Sequence, residues 1–249
     1  MRSTDAYRIG IVVYDGVDLL DVAVPRELFD WMAQVEPDVI HDAPHREVHL
    51  ISFDGPSVAT RDHLTLGGDL PSFRDVGQVD LLWVPGGDPA ALQRLMLDSA
   101  RMEFLSRQAS SADYAASVCE GALLAAAAGY LDGYKATTHW AFLPCLRLFP
   151  RIDVAPDYPR FVIDGTRITG GGIASGLDEA LKIVALLSND VVAGKVQLTI
   201  QYNPSPPFTD GDPSVARPPV LEPGEGSTCA FPGMAETIAR VLARRRRHP

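Results

Sequence analysis

Short apolar runs, each closed by glycine, proline or aspartate, alternate along this chain with longer stretches whose apolar positions recur at helical spacing. Residues 8–14 (RIGIVVY) are rich in β-branched side chains and read as a buried first strand. Residues 47–53 (EVHLISF) alternate as a second strand, and residues 80–84 (DLLWV) and 114–118 (YAASV) form two further buried ones. Between them Leu28, Trp31 and Met32 give residues 26–34 the spacing of a helix, with Pro25 as its entry, because proline is well tolerated in a first helical turn. Helices are also expected over 89–110, along the alanine-rich run after Gly121, and over 139–148, 175–187 and 191–202. The polar stretch 36–46 is a loop, 58–66 a small hairpin or excursion, and 151–160 a weak strand and turn. Asp164-Gly165 sets up a hairpin of 161–163 with 167–169. Residues 203–226, dense in Pro, Gly, Ser and Asp, read as an extended, loosely packed tail before a last helix over 234–247.

Strands alternating with helices predict an α/β fold, a doubly wound and mostly parallel sheet with helices on both faces. Residues 1–208 are expected to form this domain, and residues 209–249 a Pro/Gly-rich tail and C-terminal helix packed on it or extending it. In such folds ligands bind beyond the carboxyl ends of the strands, so the loops 15–25, 85–88 and 119–121 belong together.

The last of these loops is the most pointed. An apolar strand runs straight into Cys119-Glu120-Gly121 and a helix, the arrangement of a nucleophile elbow. The thiol then sits at a helix N-terminus, where the dipole favours thiolate, and Gly121 suits so crowded a turn.

Composition narrows the function. The 249 residues are 46% hydrophobic and 22% charged, as in an ordinary soluble globular protein, and the net charge of −10 argues against nucleic acid as a partner. Four arginines, Arg244 to Arg247, fit the favourable end of a helix better than a binding patch. No apolar run is long enough for a membrane span, and the polar start over residues 1–6 shows no signal peptide. Three widely spaced cysteines, Cys119, Cys145 and Cys229, fit neither a disulfide framework nor a zinc site, which suggests a reducing, cytoplasmic setting and leaves Cys145 and Cys229 as inert core.

The segments LLDVAVPRELF, VPGG, SVCEGALLAAAAGYLDG, KATTHW, GGGIASGLDEAL and QYNPSPPF, in this order over residues 8–208, resemble the DJ-1/PfpI superfamily, and within it the isonitrile (isocyanide) hydratase branch. The resemblance implies a flavodoxin-like fold, a homodimer, and hydration of a small uncharged isocyanide to an N-substituted formamide by a cysteine nucleophile, with no metal or organic cofactor. It places the nucleophile at Cys119 and the proton-shuttling acid at Asp21. It sets Glu27 at the acidic position after the motif proline, His139 where related members have a histidine near the cysteine, and Gly86 and Gly87 in a loop whose backbone faces the pocket. Two positions depart from the branch: Glu120 stands where threonine is usual, and Val24-Pro25 replaces Gly-Pro.

Each residue has a plainer role. Asp21 suits helix capping, but an isocyanide carbon must gain a proton, which requires an acid on that face. Glu27 either holds the thiol or lies on a solvated helix face. Glu120 either answers the helix dipole or enters the pocket, where a carboxylate would raise the thiol pKa. His139, after two threonines at a helix start, suits a structural role. Gly86-Gly87 is a tight turn or a pair of N–H groups for a developing anion. Rival functions are glyoxalase-like carbonyl hydration, with Glu27 and His139 doing more of the acid–base work, and a non-catalytic redox-sensing or ligand-binding domain. Glutamine-amidotransferase chemistry is disfavoured, because residues 170–181 contain no histidine.

Overall fold

β1 (Tyr7–Val13) is buried from Ile9 onward, as expected of a strand with helices on both faces of its sheet. The structure, a computed structural model, describes residues 6–247, so residues 1–5 of the polar start lie outside it. In chain order β1 is followed by α1 (Leu19–Val35), β2 (Arg46–Ser52), β3 (Val58–Ala59), β4 (Thr65–Leu66) and β5 (Leu81–Val84). Then come α2 (Pro89–Met96), α3 (Ser99–Ser111), β6 (Tyr114–Ser117), α4 (Gly121–Ala128), β7 (Lys135–Ala136), α5 (Leu143–Leu146) and β8 (Asp153–Val154). β9 (Phe161–Asp164), β10 (Arg167–Gly170), α6 (Ser175–Leu187), α7 (Asp190–Thr199) and α8 (Met234–Arg247) complete the order.

The main sheet runs β2-β1-β5-β6-β10-β9, parallel except where β9 returns antiparallel to β10. The chain leaves β1 for β2 on one side and then crosses to β5 on the other. The β1/β5 boundary is therefore the topological switch point, where such sheets open a crevice. The loops after β1 and β5 meet there: Val17 bridges both Thr60 and Gly87, and Asp18 donates its N–H to the Gly86 carbonyl at 3.0 Å.

Several boundaries differ from expectation. α1 begins at Leu19, so Pro25 lies inside the helix rather than at its entry. The long helix expected over 89–110 is two, because Asp98 caps a new N-terminus by accepting from the Arg101 amide at 3.0 Å. The helix expected over 139–148 shrinks to a 3-10 turn (Trp140–Phe142) and α5. Residues 203–226 contain no helix or strand.

The cysteine reasoning is corrected outright. Cys145 and Cys229 form a disulfide across 84 positions of sequence, with Cα atoms 4.7 Å apart, which removes the argument from unpaired thiols to a reducing compartment. The bridge fastens the end of the tail to α5, and Phe231 stacks on Phe142 beside it at 3.7 Å. α8 then buries Met234, Ile238 and Val241 against the body of the domain. Among the described residues, no helix is long and apolar enough to cross a membrane.

Candidate active site

β6 delivers Cys119 into a left-handed backbone conformation, φ 55°, which is rare for a residue other than glycine. Two bonds hold it there: its N–H donates to the Gly171 carbonyl at 2.8 Å, and its carbonyl accepts from Thr138 Oγ1 at 2.7 Å. Gly121 lets α4 start close to β5, since a Cβ there would overlap the Val84 carbonyl. Its own N–H goes to Val118 at 3.0 Å, so it serves the turn rather than an anion.

Around the sulfur lie three buried carboxyl groups. One oxygen from each of Asp18, Asp21 and Glu120 and the Cys119 sulfur all fall within 4.8 Å of one another. Asp21 comes from the first turn of α1, and its Oδ2 accepts from the Gly86 N–H at 2.9 Å. Glu120 opens α4 with its carboxyl in hydrogen-bonding reach of the thiol. Oδ1 of Asp21 and Oε2 of Glu120 have no hydrogen-bond partner. Asp18 lies 3.0 Å from Nε of the partly exposed Arg61, carried on the β3–β4 hairpin. Donors so spaced could bind a divalent cation or pass protons among themselves.

Burial dominates the electrostatics. It pushes the Cys119 thiol well above its usual range, and Asp21 and Glu120 push further in the same direction. The expected helix-dipole preference for thiolate is therefore overridden. Burial likewise raises Asp21 strongly, against the pull of the Gly86 N–H, and raises Glu120, against the hydrogen bond to the thiol. Glu179 of α6 is also fully buried; neither carboxyl oxygen has a partner, and burial followed by the charge of Asp21 holds it well above the carboxylate range.

The structure therefore brings Cys119, Asp21, Glu120 and Gly86 together, and it leaves other expected residues outside. Glu27 is exposed, on the face of α1 opposite Leu28 and Phe29, and holds nothing at the thiol. His139 is driven down to about 4 by burial and then by Arg61, and its Nδ1 accepts from the Ala141 N–H at 3.3 Å, a capping role. Gly86 gives its N–H to Asp21, and Gly87 packs where a Cβ would come within 2.9 Å of Val17 Cα.

Sequence reasoning missed Asp18, Arg61 and Glu179. Nothing local marks Arg61. Glu179 was legible, because it shares the buried stripe of α6 with Gly176, Ala180 and Ile183.

A cavity of about 360 Å³ is lined by Thr138, His139, Trp140 and Gly171, with Asp212 of the tail on its wall; Thr138 and Gly171 also bond the main chain of Cys119, but its side chain does not line the cavity. A larger groove of about 1020 Å³ lies at the far end of α4, among Met102, Ala128, Val241 and Arg245, away from the thiol.

The sequence pattern of the DJ-1/PfpI family matches residues 7–186. Isonitrile hydratase of Pseudomonas putida is 36% identical over 217 residues, 87% of this chain and 88% of that protein. The transcriptional regulator GbdR of Pseudomonas aeruginosa is 30% identical over 71% of this chain, which matches 45% of the regulator. Among solved structures, a ThiJ/PfpI family protein from Pseudomonas syringae superposes with a TM-score of 0.78 at 26% identity, covering 95% of this chain and 90% of its own. Drosophila melanogaster DJ-1beta shares the fold, with a TM-score of 0.69 at 18% identity over 80% of this chain and all of its own.

Proposed function

The chain belongs to the DJ-1/PfpI family, and from that premise we propose that it is a cysteine-dependent hydratase converting isocyanides to N-substituted formamides. The observation that carries the reading is the pairing of a buried thiol with a buried acid, Asp21, fixed by the Gly86 N–H. Burial raises both groups above their usual ranges and so favours their protonated forms, the forms from which a proton can be handed to an isocyanide carbon.

The sulfur of Cys119 bonds to the terminal carbon. Asp21 passes its proton to that carbon and takes up the thiol proton, leaving a thioimidate and a neutral carboxyl. Water then adds across the C=N bond, hydroxyl to carbon and proton to nitrogen. Collapse of this adduct returns the hydroxyl proton to sulfur, breaks the C–S bond and releases the formamide. The free Oδ1 of Asp21 is available to receive one proton while the other is delivered. A linear N≡C group also suits a thiol that is 1% exposed, because its reacting atom is the tip of a narrow rod. Glyoxalase-like hydration has less support: the acid–base residues it calls on are an exposed Glu27 and a neutral, capping His139.

Cyclohexyl isocyanide is the direct test. The wild type is expected to produce N-cyclohexylformamide, with losses of about 100-fold or more in Cys119→Ala and Asp21→Asn. Folded wild type without formamide product, or an Asp21→Asn variant of wild-type rate, overturns the assignment; turnover of methylglyoxal instead selects the glyoxalase chemistry. The same reading expects a homodimer, which light scattering measures.

A further inference from the structure

In a regular helix the carbonyl of Asp21 accepts from the N–H of residue 25. Here residue 25 is proline, inside α1, with no N–H to give and a ring that crowds that same carbonyl. The carbonyl is nevertheless satisfied. The indole Nε1–H of Trp83, a fully buried side chain on β5, donates to it at 2.9 Å. Phe29, one turn beyond Pro25, packs edge-on against the same indole with centroids 6.0 Å apart. Two residues after Val84 ends the strand, Gly86 donates to the Asp21 carboxyl. The end of β5 therefore grips the acid at two points, indole on main chain and amide on side chain.

We propose that Trp83 is a positioning residue for Asp21: its indole N–H replaces the helix bond that Pro25 cannot make and so fixes the turn from which Asp21 reaches Gly86 and the Cys119 thiol. The inference rests on Asp21 acting as the acid of the site. It gives this tryptophan a task beyond filling the core. A phenylalanine would fill most of the same space and leave the Asp21 carbonyl buried without a donor. The turn could then recover a partner only by moving, and Asp21 would move with it.

The proline makes the proposal testable by rescue. Trp83→Phe removes the indole donor; adding Pro25→Ala restores a main-chain N–H to the same carbonyl. With cyclohexyl isocyanide, Trp83→Phe is expected to lower kcat about tenfold, the equivalent of one buried hydrogen bond, with KM nearly unchanged. Pro25→Ala alone and the double variant are expected within about threefold of wild type on the same scale. A second readout needs no isocyanide turnover: the pH midpoint for alkylation of Cys119 by iodoacetamide. Trp83→Phe should shift it in the same direction as Asp21→Asn, and the double variant should restore it. Should the wild type fail to hydrate isocyanides, the hydratase reading falls while the alkylation series still decides the role of Trp83. A Trp83→Phe protein with wild-type kcat and alkylation midpoint overturns the inference. So does a double variant that stays as impaired as Trp83→Phe, because the tryptophan then acts through packing. If Trp83→Phe alone does not fold, the double variant carries the test: a folded protein with the wild-type alkylation midpoint supports the inference, and one with the Asp21→Asn midpoint overturns it.

Discussion

The backbone N–H of Gly86 donates to Asp21 Oδ2 at 2.9 Å, so the glycine turn after β5 holds the carboxyl that lies beside the thiol. The same glycine has no room for a side chain: a Cβ would overlap Glu120 Oε2 and come within 2.9 Å of Cys119 Cβ. Gly86→Ala is therefore expected to separate Asp21 from the thiol, with a loss of about tenfold or more in hydration rate and a melting temperature lower by several degrees. Scanning calorimetry and the formamide assay read both effects; wild-type values in both would mean that the turn relaxes without disturbing the acid.

Glu120 follows the thiol directly in sequence, and its buried carboxyl lies among the groups around the sulfur. After burial and Asp21, its charge is the next influence holding the thiol protonated. Glu120→Gln removes that charge and keeps an oxygen near the sulfur. The pH midpoint for alkylation of Cys119 is expected to fall, so that alkylation at a fixed pH below it becomes faster. A midpoint that stays or rises would show that Glu120 does not govern the thiol.

Glu179 gives a stability prediction whose sign follows from its burial. Its folded-state pKa lies well above the ordinary 4.5, so the folded protein keeps a proton that the unfolded chain releases. Its favourable contribution is complete below about 4.5 and is lost as pH rises toward the folded value, at up to ~1.4 kcal/mol per pH unit for each such group. Asp21 and Glu120 are raised in the same sense. From pH 5 to pH 8 Glu179→Leu should lose less melting temperature, or gain more, than wild type, because it lacks one of the raised carboxyl groups, with its largest advantage at pH 8. Parallel curves for the two proteins would show that Glu179 does not titrate with folding.

The parts of this protein that could be read from sequence are those set by local pattern. The apolar runs that become β1, β5 and β6 are buried by helices on both faces, and an uninterrupted strand into Cys-Glu-Gly leaves few choices but a strained turn. The misreadings came from distant partners. Pro25 reads as a helix entry because proline lacks a donor, while in the structure it lies inside α1 and the Asp21 carbonyl accepts from Trp83, 58 residues on. The late helix start also hid the helix phase: α1 buries Asp21, Val22, Pro25, Leu28, Phe29 and Met32, a stripe that leaves Glu27 to solvent. Asp18 and Arg61 meet only because the β3–β4 hairpin folds over the loop after β1, a contact with no local signal.

The disulfide has the longest sequence reach of these hidden contacts, and its consequence is the most easily measured. Cys145 sits in the buried face of α5 and Cys229 just before the Phe231–Phe142 stack, so the bridge closes a loop that contains the whole tail from 203 to 226. That tail has no helix or strand to hold it and supplies Asp212 to the cavity lined by His139 and Trp140. Closing a loop of 84 residues restricts the unfolded chain, with a typical stabilisation of about 2–4 kcal/mol. For a chain of this size that is about 4–16 °C of melting temperature. Cys145→Ser/Cys229→Ser should melt lower by such an amount, and dithiothreitol should bring wild type down to the same value while leaving the double variant unmoved. Cys119 is absent from the bridge, so its alkylation midpoint should survive both treatments. If reductant lowers the melting temperature of the double variant as much as that of wild type, its effect does not pass through the bridge. If neither protein responds, the tail is held by its packing on α5 and by α8 alone.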